Sequence, residues 1–136
     1  MDIAKLKAEL TRDEGYRKLP YKDTVGKLTI GVGRNLDDVG LSAPEIDILL
    51  TNDIKRVTGE LSAAFEWFGG LSDARQRVLA NMCFNLGITR LRGFRKTLAA
   101  MQSGDVETAA REMLDSTWAK QVGTRAHRLA AQWRAG

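Results

Sequence analysis

Residues 13–34 read DEGYRKLPYKDTVGKLTIGVGR, and this stretch is rich in glycine, with a proline at position 20. Pro20 excludes a continuing helix. Residues 21–22 and residues 28–32 are predicted strands, joined by a turn around residues 25–26. Gly31 and Gly33 weaken the second strand and leave room for a close approach by another group. The stretch therefore predicts a small β unit.

Helices are predicted on both sides of this unit. Ile3, Leu6 and Leu10 recur at helical spacing, which predicts a helix over residues 2–12 that ends near Gly15. After the β unit, Ser42 and Glu45 have the spacing of a capping box, which predicts the start of a long helix. Apolar residues then continue at helical spacing and suit a helix that connects two lobes: Ile46, Leu49, Leu50, Ile54, Val57 and Leu61.

The remainder of the chain is predicted to be helical. Capping residues and glycines divide it into helices that begin at Ser72, at residues 93–94, at Asp105 and at Thr124. The first of these carries an apolar face that we expect in the core, formed by Val78, Leu79, Met82, Cys83 and Leu86. The predicted fold class is α+β, mostly α, with a helical C-terminal lobe.

Composition narrows the function classes. The chain has 136 residues, 43% of them hydrophobic and 28% charged, which is typical of a folded globular domain. With a single cysteine and a single histidine we expect no disulfide, no metal site and no cofactor. The net charge of +4 favours polyanionic partners. The charged N-terminus lacks a signal peptide's apolar core and no segment is long enough to span a membrane, so we expect a cytoplasmic start.

Three side chains within the stretch 13–34 are candidate catalytic groups. Glu14 falls at the predicted end of the first helix, Asp23 follows nine residues later, and Thr29 stands on the glycine-flanked strand. Hydrolysis of a glycosidic bond needs one acid that donates a proton and one carboxylate that handles water or a cationic centre. A helix-end acid and a turn aspartate are also common structural features, so spacing alone leaves both interpretations open.

The pattern Glu-x8-Asp-x5-Thr followed by I-G-x-G resembles the N-terminal lobe of the phage-type lysozymes, the muramidases of the T-even phages and related endolysins. The segments RVLANMCFNLG at residues 77–87 and AAREMLDSTW at residues 109–118 are similar to later helices of that family. The resemblance covers nearly the whole chain. It implies a single lysozyme-like domain over residues 1–136, with a small lobe of about residues 13–52. The helical lobe would take about residues 60–136 together with helix 1–12.

The resemblance implies hydrolysis of the β-1,4 bond between N-acetylmuramic acid and N-acetylglucosamine in peptidoglycan. Glu14 would be the general acid, while Asp23 and Thr29 would position water, which implies inversion at the sugar carbon. The protein would be a monomeric, bacteriolytic endolysin that waits in the host cytoplasm and reaches periplasmic peptidoglycan through a holin. No nucleic acid partner and no stable membrane insertion are expected. Substrate contacts would come from Asn35, Asn81, Phe84, Thr97, Glu112, Arg125 and Arg128.

Three departures from the family pattern stand out. Arg34 replaces a frequent histidine after I-G-x-G, and Glu112 replaces an asparagine that faces the sugar in the T-even enzyme. The segment between Gly33 and the long helix is shorter than in that enzyme, which implies a reduced small lobe.

Two alternatives belong to other classes of function. A lysozyme-like module that only binds peptidoglycan would need neither Glu14 nor Asp23. A basic helical nucleic-acid module fits the net charge, but its arginines are scattered along the chain and form no recognition motif.

Overall fold

The computed structural model describes residues 1–136. A helix and a three-stranded sheet come first in the chain, and helices follow to the end, so the predicted α+β class dominated by helix is confirmed. The elements are α1 (Ile3–Glu14), β1 (Arg17–Lys22), β2 (Leu28–Gly31), β3 (Arg34–Asn35), α2 (Ala43–Ala64), a 3-10 turn (Phe68–Gly70), α3 (Asp73–Leu86), α4 (Ile88–Arg92), α5 (Arg95–Ser103), α6 (Val106–Leu114), α7 (Thr117–Val122) and α8 (Thr124–Ala135).

The internal contacts of the chain divide it into two compact units, Met1–Leu49 and Leu50–Gly136. The first unit holds α1, the sheet and the start of α2. The boundary falls inside α2, the long helix that was predicted to connect two lobes. The expected single domain and its lobe limits stay a prediction.

The sheet of the first unit is antiparallel, with β2 between β1 and β3. Tyr21 pairs with Thr29, and Thr29 pairs with Asn35. β1 is longer than predicted and includes Pro20, which an edge strand tolerates because only one of its sides is paired. β3 has two residues and was not predicted, since so short a strand has no readable pattern.

α1 stops next to Gly15, the glycine that was predicted to end it. Asp2 caps the helix by accepting a hydrogen bond from the backbone N–H of Lys5 at 3.0 Å. Gly15, with φ of 84°, ends it in the left-handed region that glycine adopts without strain. The helix runs two residues beyond the predicted limit, so Glu14 is its last residue.

The predicted capping box at the start of α2 is confirmed. Glu45 accepts a hydrogen bond from the backbone N–H of Ser42 at 2.9 Å, and Ser42 Oγ accepts one from the backbone N–H of Glu45 at 3.3 Å. Arg34 also pairs with Glu45, at 2.7 Å, and donates to the carbonyl of Gly40 at 3.2 Å. The hydrogen bond from Arg34, aided by those from Ser42, lowers the pKa of Glu45 from 4.5 to about 2. These bonds from Arg34 and Glu45 hold the segment between β3 and α2 at both of its ends.

The buried apolar core lies in the second unit. All five residues predicted for the core face of α3 are buried, as are Ala109, Ala110 and Met113 of α6 and Leu129 and Trp133 of α8. Of the apolar residues predicted along α2, Val57 and Leu61 are buried, whereas Ile46, Leu49, Leu50 and Ile54 are exposed.

Most helix limits of the second unit agree with the sequence. Ser72 and Asp105 cap α3 and α6 as predicted, and Gly87 and Gly104 end α3 and α5. The predicted cap at Thr124 is wrong. Gly123 holds the capping position and Thr124 is the first helical residue, because the positive φ of 58° that the turn requires there suits glycine. The short helices α4 and α7 were not predicted.

None of the helices combines the length and the apolar character that a membrane crossing requires.

Candidate active site

Glu14 stands at the C-terminal end of α1 with an exposed side chain. This side chain lies against the backbone of Gly33, in the turn between β2 and β3. A Cβ atom on Gly33 would be 3.0 Å from Glu14 Oε2 and 3.1 Å from its Cδ. The glycine therefore makes room for the carboxyl group. The sequence indicated close approach at Gly31 and Gly33, and the structure shows it at Gly33 alone, since nothing lies within 4 Å of a Cβ on Gly31.

Asp23 follows β1 directly and is half-buried. Its Oδ1 accepts hydrogen bonds from the backbone N–H of Val25 at 3.0 Å and of Lys27 at 2.8 Å. Both bonds fall on one oxygen, and the protein supplies no donor to Oδ2. Asp23 thus combines a fixed orientation with one carboxylate oxygen that remains available as an acceptor.

Thr29 lies in the middle of the sheet and is 3% exposed. Its hydroxyl donates to the carbonyl of Lys27 at 2.9 Å, and that carbonyl also accepts the backbone N–H of Asp23 at 2.9 Å. Because the hydroxyl proton is committed to Lys27, the lone pairs of Thr29 Oγ1 are left as acceptors. The structure therefore joins Asp23 and Thr29 through a single residue.

Asn35 is the last residue of β3 and pairs with Thr29. Its side-chain amide donates to Asp38 Oδ2 at 3.0 Å, and its side-chain oxygen accepts the backbone N–H of Asp38 at 2.9 Å. The residue predicted as a substrate contact thus makes two hydrogen bonds to its own loop.

Three further predicted contacts line one pocket of the second unit. The pocket has a volume of about 480 Å³ and is lined by Phe84, Asn81 and Arg125 together with apolar residues of α2. Phe84 is 46% exposed, so its ring is accessible rather than part of the core. Arg125 Nε donates to Asn81 Oδ1 at 2.9 Å, which fixes both polar groups at the rim.

Two other predicted contacts, Thr97 and Glu112, line a second pocket of this unit, with a volume of about 460 Å³. Its walls include Phe94 and Trp118, whose rings meet edge to face with centroids 6.2 Å apart. Charged residues of both signs line this pocket: Arg90, Arg95 and Lys96 are basic, and Glu112 and Asp115 are acidic. The structure therefore distributes the predicted contacts of this unit over two pockets.

Arg128 lines neither pocket. Its side chain is exposed and donates to Thr124 Oγ1 at 3.3 Å, one turn earlier on α8.

Cys83 takes no part in any site. It is 1% exposed, and burial raises the pKa of its thiol. No group of three or more histidine, cysteine, aspartate or glutamate side chains could hold a metal ion.

Sequence reasoning missed the residues that hold Asp23 and Thr29 in place. Lys27 contributes both of its backbone polar groups, and Asp37 and Asp38 contact residues 27 and 28 from the other side. The only available signal was the aspartate pair after β3, which is also typical of an ordinary turn.

Comparisons with known proteins agree with the resemblance. The family model described as phage lysozyme matches residues 11–134. Probable T4-type lysozyme 2 of Dictyostelium discoideum is 27% identical, and the alignment covers 98% of this chain and 96% of that protein. Probable T4-type lysozyme 1 of the same organism is 25% identical over 93% of this chain. The pre-baseplate central spike protein Gp5 of Enterobacteria phage T4 is 29% identical over 88% of this chain, which matches 26% of that longer protein.

Proposed function

This chain belongs to the phage lysozyme family, and from that premise we propose that it is a muramidase. It hydrolyses the β-1,4 bond between N-acetylmuramic acid and N-acetylglucosamine in bacterial peptidoglycan, with inversion at the sugar carbon. The observation that carries the proposal is the joint anchoring of Asp23 and Thr29 by Lys27, together with the room that Gly33, in the turn after β2, leaves for Glu14.

Asp23 and Thr29 supply two acceptors for one water molecule. Asp23 Oδ2 has no donor from the protein, and the hydroxyl proton of Thr29 is committed to Lys27. A water that donates one hydrogen to each of these oxygens keeps a lone pair for attack on the sugar carbon. As the proton moves to Asp23, the water gains nucleophilic character, which is the role of the general base in an inverting glycosidase.

Glu14 is the general acid of the proposal. Its carboxyl group is exposed, so it can reach the oxygen of the leaving sugar. Gly33 limits the positions of the side chain on one side.

The substrate is a sugar polymer that carries peptides with free carboxylates. Phe84 presents an accessible ring in the pocket that also holds Asn81 and Arg125, and an aromatic face with nearby polar groups is a common way to bind a sugar. Thr97 and Glu112 add polar contacts in the other pocket, Asn35 adds one beside the sheet, and Arg128 adds a positive charge for the wall peptides.

In its biological setting, we propose an endolysin that is held in the host cytoplasm before lysis. A holin would release it to periplasmic peptidoglycan, where it would act as a monomer. We expect neither a nucleic acid partner nor stable insertion into a membrane.

The test uses purified sacculi and measures the release of reducing ends. The wild-type protein should release them, and Glu14→Gln should lower the rate by at least a hundred-fold, because general acid catalysis contributes about 10²–10⁴-fold. Glu9→Gln, a substitution of the same type at an exposed position of α1, is the matched control and should keep the wild-type rate.

Two outcomes would contradict the proposal. Binding to sacculi without release of reducing ends would indicate a binding module. Equal rates for Glu14→Gln and Glu9→Gln would remove Glu14 from the reaction. The stereochemistry is tested by NMR on early products, where the α anomer is expected and a β anomer would indicate a covalent intermediate.

A further inference from the structure

One peptide group connects Asp23 and Thr29. The carbonyl of Lys27 accepts the Thr29 hydroxyl at 2.9 Å and the backbone N–H of Asp23 at 2.9 Å. The backbone N–H of Leu28 belongs to the same planar peptide unit, which connects residues 27 and 28. Whatever fixes the Leu28 N–H therefore also fixes the carbonyl on which both acceptor side chains depend.

Asp37 holds that N–H from the opposite side. Its Oδ2 accepts a hydrogen bond from the backbone N–H of Leu28 at 2.7 Å, a short distance that is typical of a charged acceptor. β3 has already ended at Asn35, and Leu36 makes one more backbone bond to the carbonyl of Leu28 at 2.7 Å. The carboxylate of Asp37 thus accepts the hydrogen bond that a backbone carbonyl would accept if β3 continued alongside β2.

Asp38 gives a second attachment. Its Oδ1 accepts from Lys27 Nζ at 3.1 Å, while its Oδ2 and its backbone N–H are held by the side chain of Asn35. The ion pair is exposed on both sides, so it contributes little by itself. Both attachments nevertheless act on Lys27 and Leu28, the two residues of the shared peptide group.

We propose that Asp37 is a positioning residue for the catalytic pair, with Asp38 in a supporting role. The proposal rests on the proposed function, since it assigns Asp37 an effect on catalysis that acts through Asp23 and Thr29. A carboxylate on the N–H side polarises the peptide group and strengthens its carbonyl as an acceptor. The Thr29 hydroxyl and the Asp23 backbone are then held more tightly, and the water between their side chains keeps its orientation.

The test compares three variants on soluble, uncross-linked glycan strands, so that kcat and KM are measured separately. Asp37→Ala removes the acceptor and should lower kcat about ten-fold with KM unchanged, the scale expected for a hydrogen bond to a charged group. Asp37→Asn keeps an acceptor oxygen and should recover part of the loss. Asp47→Ala, at an exposed position of α2 without a hydrogen bond, is the control for loss of an aspartate and should match the wild type.

A second measurement does not depend on activity. Amide hydrogen exchange at Lys27 and Val25, whose N–H groups donate to Asp23, should be faster in Asp37→Ala than in Asp47→Ala. Thermal unfolding of each variant shows whether the fold is retained.

The outcomes separate the two proposals. If the wild type is active and Asp37→Ala has the same kcat as Asp47→Ala, the positioning role is overturned while the muramidase proposal stands. A rise in KM with kcat unchanged would also overturn it, because that would place Asp37 in substrate binding. If the wild type releases no reducing ends, the muramidase proposal fails and with it any catalytic role for Asp37. The exchange rates then decide whether Asp37 holds this peptide group.

Discussion

Replacement of Gly33 by alanine tests whether the position of Glu14 affects activity independently of the stability of the sheet. The new Cβ would lie 3.0–3.2 Å from three side-chain atoms of Glu14. Ordinary contacts between carbon atoms are about 3.5–4.0 Å, so the carboxyl group must move by about 0.5 Å. A misplacement of about 1 Å can cost a hundred-fold in rate, so a shift of half that size should lower kcat about ten-fold.

Gly31→Ala is the matched control for this change. Gly31 has φ of 69° and Gly33 has φ of 66°, so alanine is strained at both positions, by about 1–2 kcal/mol. No atom lies within 4 Å of a Cβ on Gly31, however, so Glu14 is not displaced. Both variants should therefore lose similar stability in thermal unfolding followed by circular dichroism, and only Gly33→Ala should lose activity in the release of reducing ends.

Equal activity of the two variants, per folded molecule, would refute this reasoning. It would mean that the position of Glu14 against Gly33 has no bearing on the reaction. A much larger loss of stability in Gly33→Ala would also contradict it, because an exposed glutamate side chain should yield without disturbing the fold.

Three other predictions follow from the structure. The pKa of Glu45 is lowered from 4.5 to about 2 by its hydrogen bond with Arg34, so the pair stabilises the fold above pH 4.5 and this stabilisation is lost as the pH falls towards 2. The difference in melting temperature between the wild type and Glu45→Gln should accordingly be constant above that range and shrink below it; a constant difference down to pH 2 would contradict the assignment. Leu79→Ala should cost about 2–5 kcal/mol in urea unfolding, since Leu79 is completely buried, whereas exposed Leu49→Ala should cost far less. Because Cys83 is buried, and because burial also raises the pKa of its thiol, it should react with Ellman's reagent only on unfolding; rapid labelling of the native protein would contradict this.

Helix ends were the most predictable part of the fold, because they depend on local chemistry. The capping box of Ser42 and Glu45 and the caps Ser72 and Asp105 were found where their side chains predict. Thr124 is the exception, since the backbone of Gly123 rather than a hydroxyl side chain begins that helix.

Elements too short to show a hydrophobic periodicity were not predictable from the sequence. β3 has two residues and pairs with the edge of β2 that β1 leaves free, and α4 has five residues between two glycines. The apolar face of α2 was predicted by its spacing, but only Val57 and Leu61 of it are buried. Spacing predicts which residues share a face, and burial depends on what packs against that face.

The candidate site shows the same limit. The sequence patterns around Glu14, Asp23 and Thr29 predicted that they stand at a helix end, in a turn and on a strand, and the structure agrees. The bonds that orient Asp23 and Thr29 run through backbone groups of Val25 and Lys27, which every residue type except proline carries in full. No sequence pattern distinguishes a backbone carbonyl with two partners from any other, so this part of the site required the three-dimensional structure.

Identification of the bond that is cut is the most direct test of the proposed function. Sacculi digested by the wild-type protein are reduced with borohydride, and the soluble fragments are analysed by mass spectrometry. The proposal predicts reduced muramic acid at every new end, and at least a hundred-fold fewer such ends after the same treatment with Glu14→Gln. New ends with reduced glucosamine, or fragments released by cleavage of the peptides, would contradict it.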